Sequence, residues 1–264
     1  MTRSRRRHLL AVFVALGLVA SVSLTAIPDS HVAQAAESAV GLGNAGSFAV
    51  LANSTVTNTG PTVVSGDVGV YAGSAVIGFS AATTDGKVIN GTLHQTDTLS
   101  GLAQHDLVTA YDDAANRTPM QPGLTALDGK ILVPGVYSGD VLQLNGGTLT
   151  LKGTANDVFI FQTVHGLNVK SGSKVALIGG ASACNVFWKV GSSATIGTTA
   201  SFVGTVMAQA SISVDNAATV SGRLLARTGA VTMINDLITR PTSCATTAVG
   251  SPATPVTGRA RFPG

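Results

Sequence analysis

Residues 185–226 read NVFWKVGSSATIGTTASFVGTVMAQASISVDNAATVSGRLLA, and this stretch decides the fold because it repeats itself. The motif Gly204-Thr-Val-Met-Ala208 returns as Gly222-Arg-Leu-Leu-Ala226, and Asn185-Val-Phe-Trp188 precedes Phe202-Val-Gly-Thr205 by nearly the same interval. Short apolar runs that return at intervals of about 18 residues, between glycine and small polar residues, indicate strands of a coil. One coil cannot bury its own apolar residues, so the repeat predicts a stack of coils, a β-solenoid.

Two further columns of short segments follow the same rhythm. In the first, apolar residues alternate with small polar ones, which predicts strands with one buried and one wet face. Its segments are residues 195–196, 213–214 and 232–233, and residues 148–151 and 174–177 are assigned to the same column. The second column is turn-like and comprises residues 154–157, 182–185, 198–201 and 216–219. Three columns within each repeat predict a coil with three sides.

One segment has the period of an α-helix instead. Between residues 97 and 117 apolar side chains recur every three or four positions, with Asp97 as the N-cap and Pro119 after the end. The apolar stripe consists of Leu99, Leu102, Ala103, Leu107, Ala110, Tyr111 and Ala114, and Gln104 falls on the polar side. The apolar column around residues 157–160 and 185–188 lacks alternation, so it predicts strands buried on both faces. We expect the helix to cover this column and to interrupt the coil.

The N-terminal residues predict export. Arg3, Arg5, Arg6 and Arg7 precede a long apolar run and the small-residue site Ala33-Gln-Ala35, so residues 1–35 predict a cleaved signal peptide. An uncleaved membrane anchor is the alternative, and the choice between general and twin-arginine export stays open. Residues 36–244 are the predicted solenoid domain. Residues 245–264 have the composition of a flexible tail, although residues 254–258 also resemble a sorting signal for the cell wall.

Charge and residue types exclude several kinds of site. Without residues 1–35 the chain keeps 16 − 4 = 12 basic and 13 − 1 = 12 acidic residues, so no net field gathers nucleic acid or anionic lipid. The spacing of histidines and carboxylates predicts no metal site, no cofactor and no catalytic group. The only cysteines are Cys184 and Cys244, and export favours a structural disulfide between them over a reactive thiol.

Several motifs in order, from about residue 40 to residue 241, resemble the DUF3494 ice-binding family. They are residues 42–51 (LGNAGSFAVL), 59–69 (TGPTVVSGDVG), 110–115 (AYDDAA), 134–137 (PGVY), 185–188 (NVFW), 222–226 (GRLLA) and 238–241 (ITRP). The resemblance implies a discontinuous right-handed β-solenoid of triangular section with one helix alongside. This expectation agrees with the fold that the repeats predict independently.

The resemblance also implies that one flat face binds ice through a Thr-Ala/Gly-x-Thr/Asn pattern, which corresponds here to the turn-like column. The implied ice-binding residues are Thr59, Thr62, Thr154, Ser182, Thr198, Ser201, Asn216 and Thr219. Cys184, Asp157 and several alanines depart from the pattern. A competing hydroxyl ladder consists of Thr150, Thr195, Ser213 and Thr232. Periodicity does not choose between the two, and the resemblance favours the turn-like column.

We therefore expect a secreted, monomeric protein that adsorbs to ice crystals, needs no cofactor and is not an enzyme. Neither nucleic acid nor a membrane is an expected partner of the exported chain. The alternative is a cell-surface or matrix adhesion protein without ice activity, for which the tail and the imperfect threonine rows argue. Ice activity in the purified protein would separate the two hypotheses.

Overall fold

The computed structural model describes residues 37–80, 84–242 and 244. The predicted signal peptide (1–35) and tail (245–264) lie outside the described residues and stay predictions. No helix in the described part of the chain is long and apolar enough to cross a membrane. The described residues form parallel strands, one α-helix, α1 (Thr98–Asn116), and two 3-10 helices, Gly43–Ser47 and Ala183–Asn185.

The strands are short, as the repeat predicts. In chain order they are β1 (Phe48–Ala52), β2 (Thr55–Thr59), β3 (Val63–Ser65), β4 (Asp67–Val70), β5 (Ala75–Ile77), β6 (Lys87–Ile89), β7 (Leu93–Gln95), β8 (Ile131–Leu132), β9 (Gly135–Gly139), β10 (Leu142–Leu144), β11 (Thr148–Lys152), β12 (Phe159–Thr163), β13 (Leu167–Val169), β14 (Lys174–Ile178), β15 (Val186–Val190), β16 (Ala194–Ile196), β17 (Ser201–Ala208), β18 (Ile212–Val214), β19 (Thr219–Ala226), β20 (Val231–Ile234) and β21 (Leu237–Thr239).

These strands stack into the three sides of a β-solenoid, which confirms the predicted fold class. The seven-stranded side has the order β10-β13-β16-β18-β20-β2-β5. The open side has the order β8-β11-β14-β17-β19-β21-β3-β6. The helix side has the order β9-β12-β15-β17-β19-β1-β4-β7. The long strands β17 and β19 belong to both of the last two sides because each bends around the corner between them.

Two glycines allow this bend. Gly204 has a φ of 116°, a left-handed conformation that side chains rarely adopt, and an added Cβ would lie 2.7 Å from Nε1 of Trp188. Gly222 is its register partner on β19, and a Cβ there would overlap the carbonyl oxygen of Gly204. The glycines of the repeat therefore keep successive coils close at the corner.

The coil is discontinuous, as expected. Strands β19, β20 and β21 of the last coil pair with β1, β2 and β3 of the first coil. The first and last described coils thus meet in the middle of the stack, at what we call the junction. Helix α1 connects β7, at one end of the stack, to β8, at the other end.

The helix covers the strand column that lacks alternation. Its buried residues Ala103, Leu107 and Tyr111 pack with Ile160 of β12 and Phe187 of β15 on the outside of the helix side. Two details of the predicted stripe are wrong. Leu102 is 49% exposed, and Gln104 is buried, where its side chain donates to the carbonyl oxygen of Ala226. A buried amide is tolerated when it makes such a bond.

The N-cap of α1 is confirmed as Asp97. Its carboxylate accepts from the backbone N–H of Ser100, and the Ser100 hydroxyl accepts from the backbone N–H of Asp97. The bond from the Ser100 N–H is the largest cause that lowers the pKa of Asp97 to about 2. The helix therefore begins with two of its free N–H groups satisfied.

Replacing Asp97 by alanine is expected to lower the free energy of unfolding by about 1 kcal/mol at neutral pH, because the first turn loses its cap. The contribution of the carboxylate is present above the ordinary pKa of 3.8 and fades as the pH falls towards 2, since the folded-state pKa is depressed. Denaturant unfolding of the wild type, Asp97→Ala and Asp97→Asn tests this. Asparagine also caps, so it should keep most of the stability without the acid dependence.

Candidate functional site

The seven-stranded side carries a row of aligned hydroxyl groups on its outer surface. Four neighbouring strands of the sheet, β16, β18, β20 and β2, place Thr195, Ser213, Thr232 and Thr57 beside one another in register. We call these four residues the hydroxyl row. The hydroxyl of Thr232 donates to that of Ser213 over 3.2 Å. None of the four side chains titrates near neutral pH, so the row is uncharged.

Strict alternation along each strand turns these hydroxyls outward. On β16 the neighbours of Thr195 are Ala194 and Ile196, and both are buried in the solenoid core. Ile212 and Val214 flank Ser213 in the same way. The core therefore fixes the strands from inside and holds the hydroxyls on a common outer surface.

The row differs from the ladder that the sequence predicts. Thr195, Ser213 and Thr232 do come together, but Thr150 lies on β11 of the open side, opposite Ala176. Assigning residues 148–151 and 174–177 to this column was therefore wrong. The true members are β10 and β13, which continue the row with Gln143 and Asn168. In these two strands apolar and polar residues alternate as in the other members of the column. That alternation was the signal in the sequence that could have assigned them.

Thr57 is the residue that the sequence reasoning missed. It lies on β2, near the start of the solenoid, and pairs with Thr232 across the junction. The alternating segment Thr55-Val-Thr-Asn-Thr59 is a signal for an exposed threonine. Its neighbour in space belongs to the last coil of the chain, so a repeat search within the C-terminal half does not find it.

Five of the eight predicted ice-binding residues lie along one corner. Thr59, Thr198 and Asn216 stand where the chain leaves the seven-stranded side, and Ser201 and Thr219 begin β17 and β19 on the open side. The turns that hold Thr198 and Asn216 contain left-handed residues, Thr199 and Ala217, with φ of 57° and 61°, and the turn after β20 contains Asn235, with φ of 54°. The backbone N–H groups of these three residues donate to carbonyl groups of the next coil.

Two predicted residues lie at another corner. Thr154 follows β11 and Ser182 follows β14, so both stand between the open side and the helix side. Their placement in one column with Thr198 and Asn216 was wrong. Small polar residues form the turns at both corners, and the period of the repeat does not say which corner a turn occupies.

Thr62 is also misplaced by the prediction, because its side chain is buried. Its Oγ1 accepts from the backbone N–H of Asp236 over 3.0 Å. Leu237 pairs with Val63, while Asn235 bonds to Thr59, so the turn from β2 to β3 holds one residue more than the turn from β20 to β21. Because of that extra residue, the side chain of Thr62 points into the core, although the match to the family pattern predicts that it points outward.

The open side offers a different outer surface. In one register row it presents Lys174, Ser201, Thr219, Leu237, Val63 and Lys87. Cations and apolar side chains thus interrupt the hydroxyls of this row, and Leu237 is 46% exposed. The next outer row of the open side holds three hydroxyl residues in register, Ser221, Thr239 and Ser65. The helix side is covered by α1. The seven-stranded side therefore has a longer uncharged run of hydroxyls than either of these rows of the open side.

The described residues also include the predicted disulfide. Cys184, in the 3-10 helix before β15, is bonded to Cys244, which follows β21. The bond ties the end of the described chain to the corner between the open side and the helix side. The prediction from export and cysteine count is confirmed.

Comparisons with known proteins agree with this architecture. The model of the ice-binding-like family matches residues 50–239. An ice-binding protein of Nostoc sp. (strain HG1) is 43% identical over 197 residues, which are 73% of this chain and 71% of that protein. An ice-binding protein of Colwellia sp. is 39% identical over 222 residues, with 77% and 85% covered.

Solved structures give the same result. The crystal structure of an ice-binding protein from an Antarctic biological consortium has a TM-score of 0.74 and 41% identity, covering 78% of this chain and 93% of that one. The structure of an ice-binding protein from the Antarctic ascomycete Antarctomyces psychrotrophicus has a TM-score of 0.73 and 37% identity, covering 78% and 100%. The resemblance that the motifs carry is confirmed, and this chain belongs to the ice-binding-like family.

Proposed function

We propose that this protein binds ice through the hydroxyl row on the outer surface of the seven-stranded side. The observation that carries the proposal is the register of Thr195, Ser213, Thr232 and Thr57 on four neighbouring strands. Its relatives are named ice-binding proteins, which supports ice as the ligand. The corner residues Thr59, Thr198 and Asn216 border this surface, so part of the sequence-based site is kept.

A regular array suits a crystalline ligand. Neighbouring strands lie about 4.8 Å apart, so the hydroxyls and methyl groups repeat at a fixed interval. Threonine holds its methyl and hydroxyl groups in few orientations because its χ1 is restricted. Each contact with ordered water is weak, and a rigid array binds because little conformational freedom remains to be lost. The row needs no ionised group for this task.

The charges on the two surfaces favour the seven-stranded side over the open side. An ion holds its own hydration shell and disturbs a lattice-like layer of water, and the open side presents Lys174 and Lys87 in the row that contains Thr219. The seven-stranded side keeps its charged residues Lys170 and Asp215 outside the hydroxyl row. The hydroxyl row is therefore the better match to a layer of ordered water.

A matched pair of substitutions tests the assignment. Thr232 and Thr219 are both exposed threonines on strands, one on the seven-stranded side and the other on the open side. In an assay of ice recrystallisation with residues 36–264, Thr232→Tyr is expected to reduce inhibition at least about tenfold, because the ring lifts the flat surface off the lattice. Thr219→Tyr should stay within about twofold of the wild type.

The reverse pattern would reject the seven-stranded side and restore the turn-like column as the ice-binding surface. No inhibition by the folded wild-type protein would reject ice binding itself. Circular dichroism and the melting temperature of both variants serve as the control for folding. Both substitutions replace exposed side chains, so we expect neither value to change much.

We also propose that the protein acts outside the cell as a binding protein. The arginines and apolar run of residues 1–35 support export. The disulfide also supports it, because disulfides form and persist in oxidising compartments. Mass spectrometry of the N-terminus of protein from the culture medium tests cleavage after residue 35. An intact N-terminus in the membrane fraction would support the anchor instead.

A further inference from the structure

The outer surface of the seven-stranded side changes character beyond Thr195. The hydroxyl row gives way to the amides of Asn168 on β13 and Gln143 on β10. Here the surface sinks into a shallow depression of about 590 Å³. The polar residues in its lining include Gln143, Asn145, Asn168, Lys170, Thr195 and Asp215.

A glycine in the lining of this depression lies between two charged residues. Val169, Ile196 and Val214 are register partners, so the residues that follow them, Lys170, Gly197 and Asp215, also lie side by side. Gly197 therefore separates a cation from a carboxylate. An added Cβ at Gly197 would lie 2.7 Å from the backbone nitrogen of Ser171, so close packing of the corner requires the glycine.

Four polar side chains of the depression are free to bind a ligand. Among the described residues, the side chains of Gln143, Asn168, Lys170 and Asp215 have no hydrogen-bond or ion-pair partner. Two amides, an ammonium group and a carboxylate together supply both donors and acceptors. This arrangement fits a ligand that both donates and accepts, as vicinal hydroxyl groups do.

The composition of the lining narrows the class of ligand. One lysine and one aspartate cancel, so a polyanion finds no run of cations here. The apolar side chain in the lining, Val169, is 2% exposed, so the depression offers a hydrophobic molecule no exposed apolar side chain to pack against. The depression spans the four strands β10, β13, β16 and β18, about 14 Å across three strand spacings. We propose that it binds a segment of a neutral polysaccharide.

Sugar binding at this depression is distinct from ice binding, and the two sites share only Thr195, at the end of the hydroxyl row. A sugar chain held at Asn168 and Gln143 would tether the protein to a glycan surface. It would leave the hydroxyls of Ser213, Thr232 and Thr57 uncovered. In this proposal, adhesion to a glycan is a second activity of the seven-stranded side, beside ice binding.

Isothermal titration calorimetry with oligosaccharides of glucose, mannose, galactose and N-acetylglucosamine tests the proposal. We expect at least one probe to bind residues 36–264 with a Kd of about 1 mM or tighter. The double variant Gln143→Ala, Asn168→Ala should bind that probe about tenfold more weakly. Asn156→Ala, an exposed asparagine in the turn after β11, is the matched control and should bind like the wild type.

Sugar binding and ice binding are expected to be lost separately. The double variant should keep its inhibition of ice recrystallisation within about twofold, and Thr232→Tyr should keep its sugar affinity. The sugar proposal is overturned if none of the four probes binds at a Kd of about 10 mM or tighter, or if the double variant binds like the wild type. Melting temperatures confirm that each variant is folded.

Discussion

Replacing Trp188 by alanine is expected to lower the free energy of unfolding by about 3–5 kcal/mol, because it removes the largest buried ring of the core. Trp188 is fully buried in the solenoid core, and its Nε1–H donates to the carbonyl oxygen of Val203 over 3.0 Å. Its ring stacks on Phe161 with centroids 4.0 Å apart and touches Phe202 at 5.1 Å. Truncation leaves a cavity that rigid strands on either side close poorly.

This aromatic stack holds successive coils together from inside. Tyr137, Phe161 and Trp188 are register partners on β9, β12 and β15, so each ring packs on the next. Beyond Trp188 the same row continues with Val206 and Leu224. The hole would therefore lie where the aromatic half of the core meets the aliphatic half, and damage there weakens contacts on both sides.

Thermal unfolding followed by circular dichroism measures the effect, since the variant lacks the only tryptophan of the chain. At roughly 2–4 °C for each kcal/mol, the melting temperature should fall by about 6–20 °C. Trp188→Phe is the control, because it keeps a ring in the stack and loses mainly the hydrogen bond, about 1 kcal/mol. A loss in the alanine variant no larger than in the phenylalanine variant would show that the stack contributes little.

The sequence predicts the coil and its cover because both depend on local pattern. The recurrence of Gly204 at Gly222 identifies the length of a coil, and the two-faced apolar strand Val186–Val190 requires the helix as a cover. The N-cap Asp97 follows from residue type and spacing alone. These features are decided by alternation, helical period and turn chemistry, each of which acts within a few residues.

The site was harder to predict because it depends on position around the coil. Thr154 and Thr198 occupy similar turns, yet they lie at different corners. Thr62 matches the family pattern, but one extra residue turns its side chain inward. Thr57 meets Thr232 only because the first and last coils join in the middle of the stack. The register between coils is set by tertiary packing, so it cannot be predicted from the sequence of a single repeat.

The disulfide that anchors the chain after the junction strand β21 is the basis of the second large expected effect. Removing the disulfide by Cys184→Ser with Cys244→Ser is expected to lower the free energy of unfolding by roughly 4 kcal/mol in the chain-entropy model. The two cysteines are 60 residues apart in sequence, so the bond closes a long loop. The melting temperature should fall by about 8–16 °C, and the wild type with reductant should behave like the double variant.

The location of the bond predicts more than a global loss. Cys244 follows β21, a strand of three residues that pairs with β19 of the last coil and β3 of the first. Without the bond this strand is held by its pairing alone, so the junction should open before the rest of the solenoid. Amide exchange of Ile238 should then accelerate more than that of Phe161, which lies far from the junction in β12.

The junction also carries the hydroxyl row from Thr232 to Thr57, so the bond bears on the proposed site. Most of the stack remains folded near 0 °C, where ice activity is assayed, because the expected loss is smaller than the usual stability of a domain. We therefore expect the double serine variant to inhibit recrystallisation when kept cold and to lose that inhibition after warming that leaves the wild type intact. Full activity after such warming would mean that the pairing of β20 with β2 does not depend on the anchored C-terminal strand.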